Sequence, residues 1–87
     1  MSTEPKIVIY GNDSCAYCAA ARMLFTKKGL RFEDIKVSDD AERQAEMEKL
    51  TGSGSVPQIL INDHLVGGFA DLCALDKDGD LERLLGA

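Results

Sequence analysis

Lys6-Ile7-Val8-Ile9-Tyr10 runs into Gly11-Asn12-Asp13-Ser14 and then into Cys15-Ala16-Tyr17-Cys18-Ala19-Ala20-Ala21. The first five residues are β-branched and apolar almost throughout, the composition of a buried central strand. The next four are loop formers. From Cys15 the chain becomes alanine-rich and helical, with Ala16, Ala20, Met23 and Leu24 falling on one stripe. Lys27-Lys28 and then Gly29 make a cationic last turn and a C-cap signal. Two cysteines, three residues apart, therefore lie where a strand hands over to a helix.

That placement carries chemistry. The first turn of a helix has unpaired backbone N–H groups and the positive end of the dipole, which favour an anion. An ordinary cysteine is only a few per cent thiolate at neutral pH. Helix N-termini and Cys-x-x-Cys pairs lower the thiol pKa from about 8.5 to about 3.5–7.5. Cys15 is thus the candidate nucleophile. Cys18, one turn further in and on the same face, is the candidate resolving thiol and is expected to keep its proton. A zinc site would need two more ligands, and the chain offers only Cys73 and His64.

Working outward, Arg31 to Val37 reads as a second strand. Asp39 with Glu42 reads as a capping box, opening a helix through Arg43, Met47 and Leu50 to Gly52. Gly52-Ser53-Gly54-Ser55 is a loop. Gln58 to Ile61 and His64 to Val66 form a hairpin about Asn62-Asp63, and Gly67-Gly68 stops it. Leu72, Leu75, Leu81, Leu84 and Leu85 mark a final helical segment with a break near Gly79. The acidic run Asp76, Asp78 and Asp80 lacks the spacing of a calcium loop and reads as a solvated helix break. The order is β-α-β-α-β-β-α, an α/β chain. Its first two strands are expected to be parallel and its last two antiparallel.

The 87 residues are expected to make one domain, residues 1–87. With 45% hydrophobic residues, one modest core is expected without staples. A net charge of −5, no Trp and only five aromatics argue against nucleic-acid binding, and the acidity against an anionic membrane surface. No run reaches the ~20 apolar residues of a membrane span. The first residues lack a signal peptide's apolar core, so a cytoplasmic location is expected. Three cysteines, two of them adjacent in the motif, do not make a disulfide framework.

Two further segments fit a thiol site. In Ser55-Val56-Pro57, proline belongs at a strand start. Were its peptide bond cis, the backbone of Val56 would be free to pair with an extended thiol peptide. An ordinary trans proline opening a strand fits the same residues. Gly67-Gly68 before Phe69-Ala70-Asp71 allows close backbone approach, and the following helix N-terminus suits a carboxylate. By itself, Gly-Gly is also simply a turn.

Taken together, Cys15-Ala16-Tyr17-Cys18, Ser55-Val56-Pro57 and Gly67-Gly68-Phe69-Ala70-Asp71-Leu72 resemble the glutaredoxins, most of all the short bacterial dithiol members. The resemblance implies a thioredoxin-like fold with a four-stranded mixed sheet flanked by helices. It implies a glutathione-dependent reductase of protein disulfides and protein–glutathione mixed disulfides. Cys15 and Cys18 would be catalytic. Tyr17, Gln44, Val56, Pro57, Gly68, Ala70 and Asp71 would bind glutathione, with Pro57 cis, Gln44 near the glycyl carboxylate and Asp71 at the γ-glutamyl end. Glutathione would be a reductant co-substrate, no metal is expected, and the protein would act as a monomer. The alternative within the family is a glutathione-ligated [2Fe–2S] carrier.

The departures concern the hold on glutathione. Ala16 replaces the family's proline after the first cysteine, and Asn12 stands where a lysine is usual. Ser53-Gly54 replaces a basic position, Ser55 a threonine and Ala70 a polar residue. An exposed ion pair contributes about 0–1 kcal/mol, so a severalfold weaker hold on glutathione is expected.

Overall fold

The computed structural model describes residues 5–86. Its elements are β1 (Ile7–Gly11), α1 (Ala16–Lys27), β2 (Glu33–Lys36), α2 (Ala41–Thr51), β3 (Gln58–Ile61), β4 (His64–Gly67), α3 (Phe69–Asp78) and α4 (Asp80–Leu84). The sheet order is β2-β1-β3-β4. β1 pairs parallel with β2 and antiparallel with β3, and β3 pairs antiparallel with β4. The expected mixed four-stranded sheet is therefore present, and β1, the strand that leads into Cys15, lies inside it.

Strand alternation builds two layers around this sheet. Ile7, Ile9, Ile59 and Ile61 face one side and bury against Ala21, Phe25, Leu72 and Leu81 of α1, α3 and α4. Tyr10, with partly buried Val8 and Leu60, faces the other side and packs on Met47 of α2. The Tyr10 hydroxyl donates to Glu46 of α2, and Arg43 holds the same carboxylate at 3.1 Å. The second face is only partly covered. Val8, Leu50, Leu60 and Leu65 help line an open groove of about 370 Å³ beside α2.

Turn chemistry fixes the joints. α1 ends in a Schellman motif: Leu30 N–H bonds the Phe25 carbonyl and Gly29 N–H that of Thr26, both at 3.0 Å, with Gly29 at φ +72°. Asn62 and Asp63 both take positive φ, as a two-residue hairpin turn of the mirror-image type requires. Gly79, at φ +79°, separates α3 from α4, at the expected break.

Several expectations need correction. In α1 the buried residues are Cys18, Ala21 and Phe25, while Ala16 and Met23 are exposed. Alanines fit either side of a helix, so the large Phe25 decides the phase. The cap of α2 is Asp40, whose Oδ1 accepts from Arg43 N–H at 3.1 Å. Asp39 sits at φ +61° in the preceding turn, so Glu42 falls one place early for a capping box. Leu50 is exposed and only Met47 of the α2 stripe is buried. β2 is shorter than Arg31 to Val37. The acidic run is not wholly solvated: half-buried Asp76 holds Lys28 at 2.8 Å, and Lys28 also contacts Glu82 at 3.3 Å, tying α1 to α3 and α4.

Candidate active site

The site begins at Cys15, the N-cap of α1, with extended backbone at φ −89° and ψ 117°. Its sulfur accepts from the Cys18 backbone N–H at 3.3 Å, so it takes the place of the oxygen in an ordinary N-cap. Cys15 is half-buried and Cys18 wholly buried, and both are free thiols. Cys18 can lie this deep because its neighbour on β1 is Gly11. A methyl at residue 11 would come within 2.7 Å of the Cys18 sulfur.

Electrostatics then separate the two sulfurs. The Cys18 thiol hydrogen bond lowers the Cys15 pKa, aided by the backbone N–H groups of Cys18 and Tyr17 and by the Arg22 charge, against a burial cost. Burial, followed by the same bond to Cys15, pushes Cys18 from 9.0 up to about 11. One sulfur is half-buried and prone to ionise. The other is hidden and keeps its proton.

Burial likewise raises Tyr10, with help from Glu46, from 10.0 to about 12. For Cys18 and Tyr10 the unfolded chain ionises first as pH rises. Their contribution to stability is whole below about pH 9 and is lost through about pH 11–12. Each shift corresponds to roughly 2–3 kcal/mol. Cys15 has the opposite sign, and its contribution is lost as pH falls through its lowered value. Urea unfolding followed from about pH 10, where the Cys15 contribution is already whole, to about pH 11.5 should therefore show a net loss of stability. A flat profile contradicts this burial account.

Tyr17, between the two cysteines, lines a groove of about 340 Å³ with Ser55, Val56, Pro57, Gln58, Gly68, Phe69 and Ala70. Three distant segments thus meet. The Val56–Pro57 bond is cis. Among the described residues, no hydrogen bond engages the Val56 backbone. The Tyr17 and Phe69 rings face each other, tilted, with centroids 6.0 Å apart. Asp71 stands outside this lining. Its Oδ2 accepts from Gly68 N–H at 3.0 Å, capping α3, and a side chain at Gly67 would collide with that oxygen.

Gln44 is also outside the groove. Its amide donates to Glu48 at 3.2 Å and to the Gly54 carbonyl at 3.3 Å, bracing the loop before Val56. Gln58 braces the same loop from within, donating to the Ser55 carbonyl at 3.0 Å. Sequence reasoning missed Gln58, Phe69 and above all Arg22. The signal for Arg22 was spacing: it stands four residues after Cys18 and seven after Cys15, on the thiol face of α1.

A glutaredoxin family model matches residues 7–66. The chain belongs to the glutaredoxin family. A Pseudomonas aeruginosa glutaredoxin is 42% identical over 83 residues, 95% of this chain and 99% of that one. The solution structure of Brucella melitensis glutaredoxin superposes with TM-score 0.82 at 39% identity, covering 97% of this chain and 91% of the other. A crystal structure of a buckwheat glutaredoxin–glutathione complex superposes with TM-score 0.83 at 26% identity, covering 92% and 76% of the two chains. The fold is thioredoxin-like. As a glutaredoxin with its Cys15–Cys18 pair brought together, the protein is a glutathione-dependent dithiol oxidoreductase. Among the described residues no helix is long and apolar enough to cross a membrane.

Proposed function

We propose that Cys15 is the attacking thiolate and Cys18 the resolving thiol, acting on protein disulfides and on protein–glutathione mixed disulfides. The observation that carries this is the asymmetry of the pair. The Cys15 sulfur is accessible and accepts an N–H bond at 3.3 Å, whereas Cys18 is buried behind it.

On a glutathionylated protein, the Cys15 thiolate attacks the glutathione sulfur. The Cys15–glutathione disulfide forms, the original disulfide breaks, and the protein thiolate leaves and takes a proton. A second glutathione thiolate attacks the bound glutathione sulfur, giving glutathione disulfide and restoring the Cys15 thiolate. On a protein disulfide, Cys15 first forms a mixed disulfide with one protein sulfur. Cys18 then loses its proton and attacks the Cys15 sulfur, releasing the reduced protein. Two glutathiones return the Cys15–Cys18 disulfide to two thiols, themselves becoming glutathione disulfide.

The groove supplies the binding half of this reading. Val56 would pair its backbone with the cysteinyl part of glutathione, beside Pro57 and Tyr17. Gly68, Ala70 and Asp71 would receive the γ-glutamyl end, and Gln44 would act near the glycyl carboxylate. Asp71 fits that role because its second carboxylate oxygen is not used by the cap. The thiols and the groove come from one chain, which supports action as a monomer, and a Cys-x-x-Cys pair that works with glutathione suits a cytoplasmic setting.

Trapping tests the assignment. In a Cys18→Ser protein treated with glutathione disulfide, one glutathione should accumulate per chain, on the Cys15 peptide, as read by mass spectrometry. Modification only at Cys73 would refute it.

A further inference from the structure

Arg22 does more than salt-bridge a surface. Its Nη2 donates to the Asn12 carbonyl at 3.0 Å, in the loop that delivers Cys15. Its Nε lies 3.1 Å from Asp34 Oδ2 on β2, an ion contact not aligned as an N–H hydrogen bond. Both side chains are mostly buried, with 20% and 27% of their surfaces exposed, so solvent screens this pair weakly.

The same peptide segment touches the thiols. The Asn12 carbonyl is held by Arg22, and the Asn12 backbone favours ionisation of Cys18 against its burial. The Cys18 sulfur and the Arg22 guanidinium also flank Gly11: a methyl there would lie 2.7 Å from the sulfur and 3.5 Å from Arg22 Nη2. A chain of contacts therefore runs from Asp34 through Arg22 to the Gly11–Asn12 loop beside Cys18, and from the Cys18 N–H to the Cys15 sulfur at 3.3 Å.

The other charged groups nearby are Lys36 and Asp13. Lys36 Nζ lies 2.6 Å from Asp13 and 3.9 Å from Asp34, and both Lys36 and Asp13 are well exposed. Exposed pairs contribute little, so the partly buried Arg22–Asp34 pair dominates the local field. Residue 12 is an uncharged asparagine, and the cation near the sulfurs comes from inside α1.

We propose that Arg22, balanced by Asp34, is the positioning residue of the thiol pair, fixing the Gly11–Asn12 loop beside Cys18 and setting the field in which Cys15 and Cys18 exchange between thiols and disulfide. The inference rests on Cys15 being the nucleophile. A cation near the pair favours the reduced, thiolate-bearing form over the neutral disulfide, and Asp34 offsets that effect. The two residues therefore act on the sulfurs with opposite sign.

The test compares Arg22→Gln, Arg22→Lys and Asp34→Asn with the unaltered protein. Two quantities are read: the pH profile of Cys15 alkylation, and the equilibrium constant of the Cys15–Cys18 disulfide with glutathione. Arg22→Gln should slow alkylation on the acid limb about three- to tenfold and shift the equilibrium toward the disulfide by a similar factor. Asp34→Asn should shift both the other way, and Arg22→Lys should restore part of the loss. Changes of the same sign in Arg22→Gln and Asp34→Asn, or no change in either, overturn the inference.

Arg22→Gln leaves Asp34 without its partner and can weaken the fold. The Arg22→Gln, Asp34→Asn double variant removes both charges together. Compared with Asp34→Asn alone it should again alkylate more slowly, and equal profiles overturn the inference. An unaltered protein whose Cys15 titrates as an ordinary thiol fails the nucleophile assignment itself. A lowered profile that neither substitution moves fails only the role of Arg22.

Discussion

Cys15→Ser should abolish turnover of both protein disulfides and protein–glutathione mixed disulfides, by at least about a thousandfold in kcat/KM. The expectation follows from what is left. A serine hydroxyl stays protonated at neutral pH and cannot form a disulfide. Cys18 is wholly buried, and its pKa is pushed up to about 11. It therefore offers almost no thiolate and no path to a protein sulfur. Cys73 is half-buried in the interior of α3 and is not at its N-cap. Assay of the purified variant with a glutathionylated peptide and a disulfide-bonded protein checks this. Residual turnover within tenfold of the unaltered protein would mean that another thiol does the chemistry.

Cys18→Ser should instead divide the two activities. Removal of glutathione from proteins needs only Cys15 and free glutathione, and it should stay within a few fold. The bond that lowers Cys15 is partly preserved, because Cys18 contributes its backbone N–H as well as its thiol. Reduction of a protein disulfide should fall at least tenfold, since release of the mixed disulfide loses its intramolecular thiol. Intramolecular attack carries the advantage of a very high effective concentration. The paired assays separate the routes, and an equal loss of both activities contradicts the resolving role. Serine brings a hydroxyl into a closed site, so the variant's urea midpoint should be recorded alongside.

The parts of the molecule legible in the sequence are those with local causes. Ile7, Val8 and Ile9 could only be a buried strand, and Gly29, Gly52 and Gly79 mark helix ends by their backbone freedom. The Cys15–Cys18 spacing, the Val56–Pro57 segment and Gly67-Gly68 each signalled part of the site, and the fold brings Tyr17, Val56, Pro57, Gly68 and Ala70 to one groove. What stayed hidden depends on tertiary context. The α1 phase was ambiguous because alanines signal neither inside nor outside. The choice between Asp39 and Asp40 turned on one left-handed residue that pattern alone does not specify.

Arg22 is the most instructive omission. Asn12 in place of a lysine suggested that the thiolate relied on the helix N-terminus alone. The structure supplies a cation from one turn beyond Cys18, reaching back beneath the loop to Asn12 and across to Asp34. An arginine in the middle of a helix ordinarily points to solvent. Only the packing of β2 beside β1 gave it an anion and a carbonyl to hold. Gln44, expected near the glycyl carboxylate, donates its amide to Glu48 and to the Gly54 carbonyl, local bonds that sequence spacing does not reveal.

The central claim is that the N-cap position makes Cys15 the reactive thiolate. The most direct measurement is its alkylation rate against pH in the otherwise unaltered protein, with the adduct located by peptide mapping. The account predicts modification at Cys15 first, with a midpoint clearly below the roughly 8.5 of an ordinary thiol. A midpoint at or above about 8.5, or preferential modification of Cys18, would contradict it.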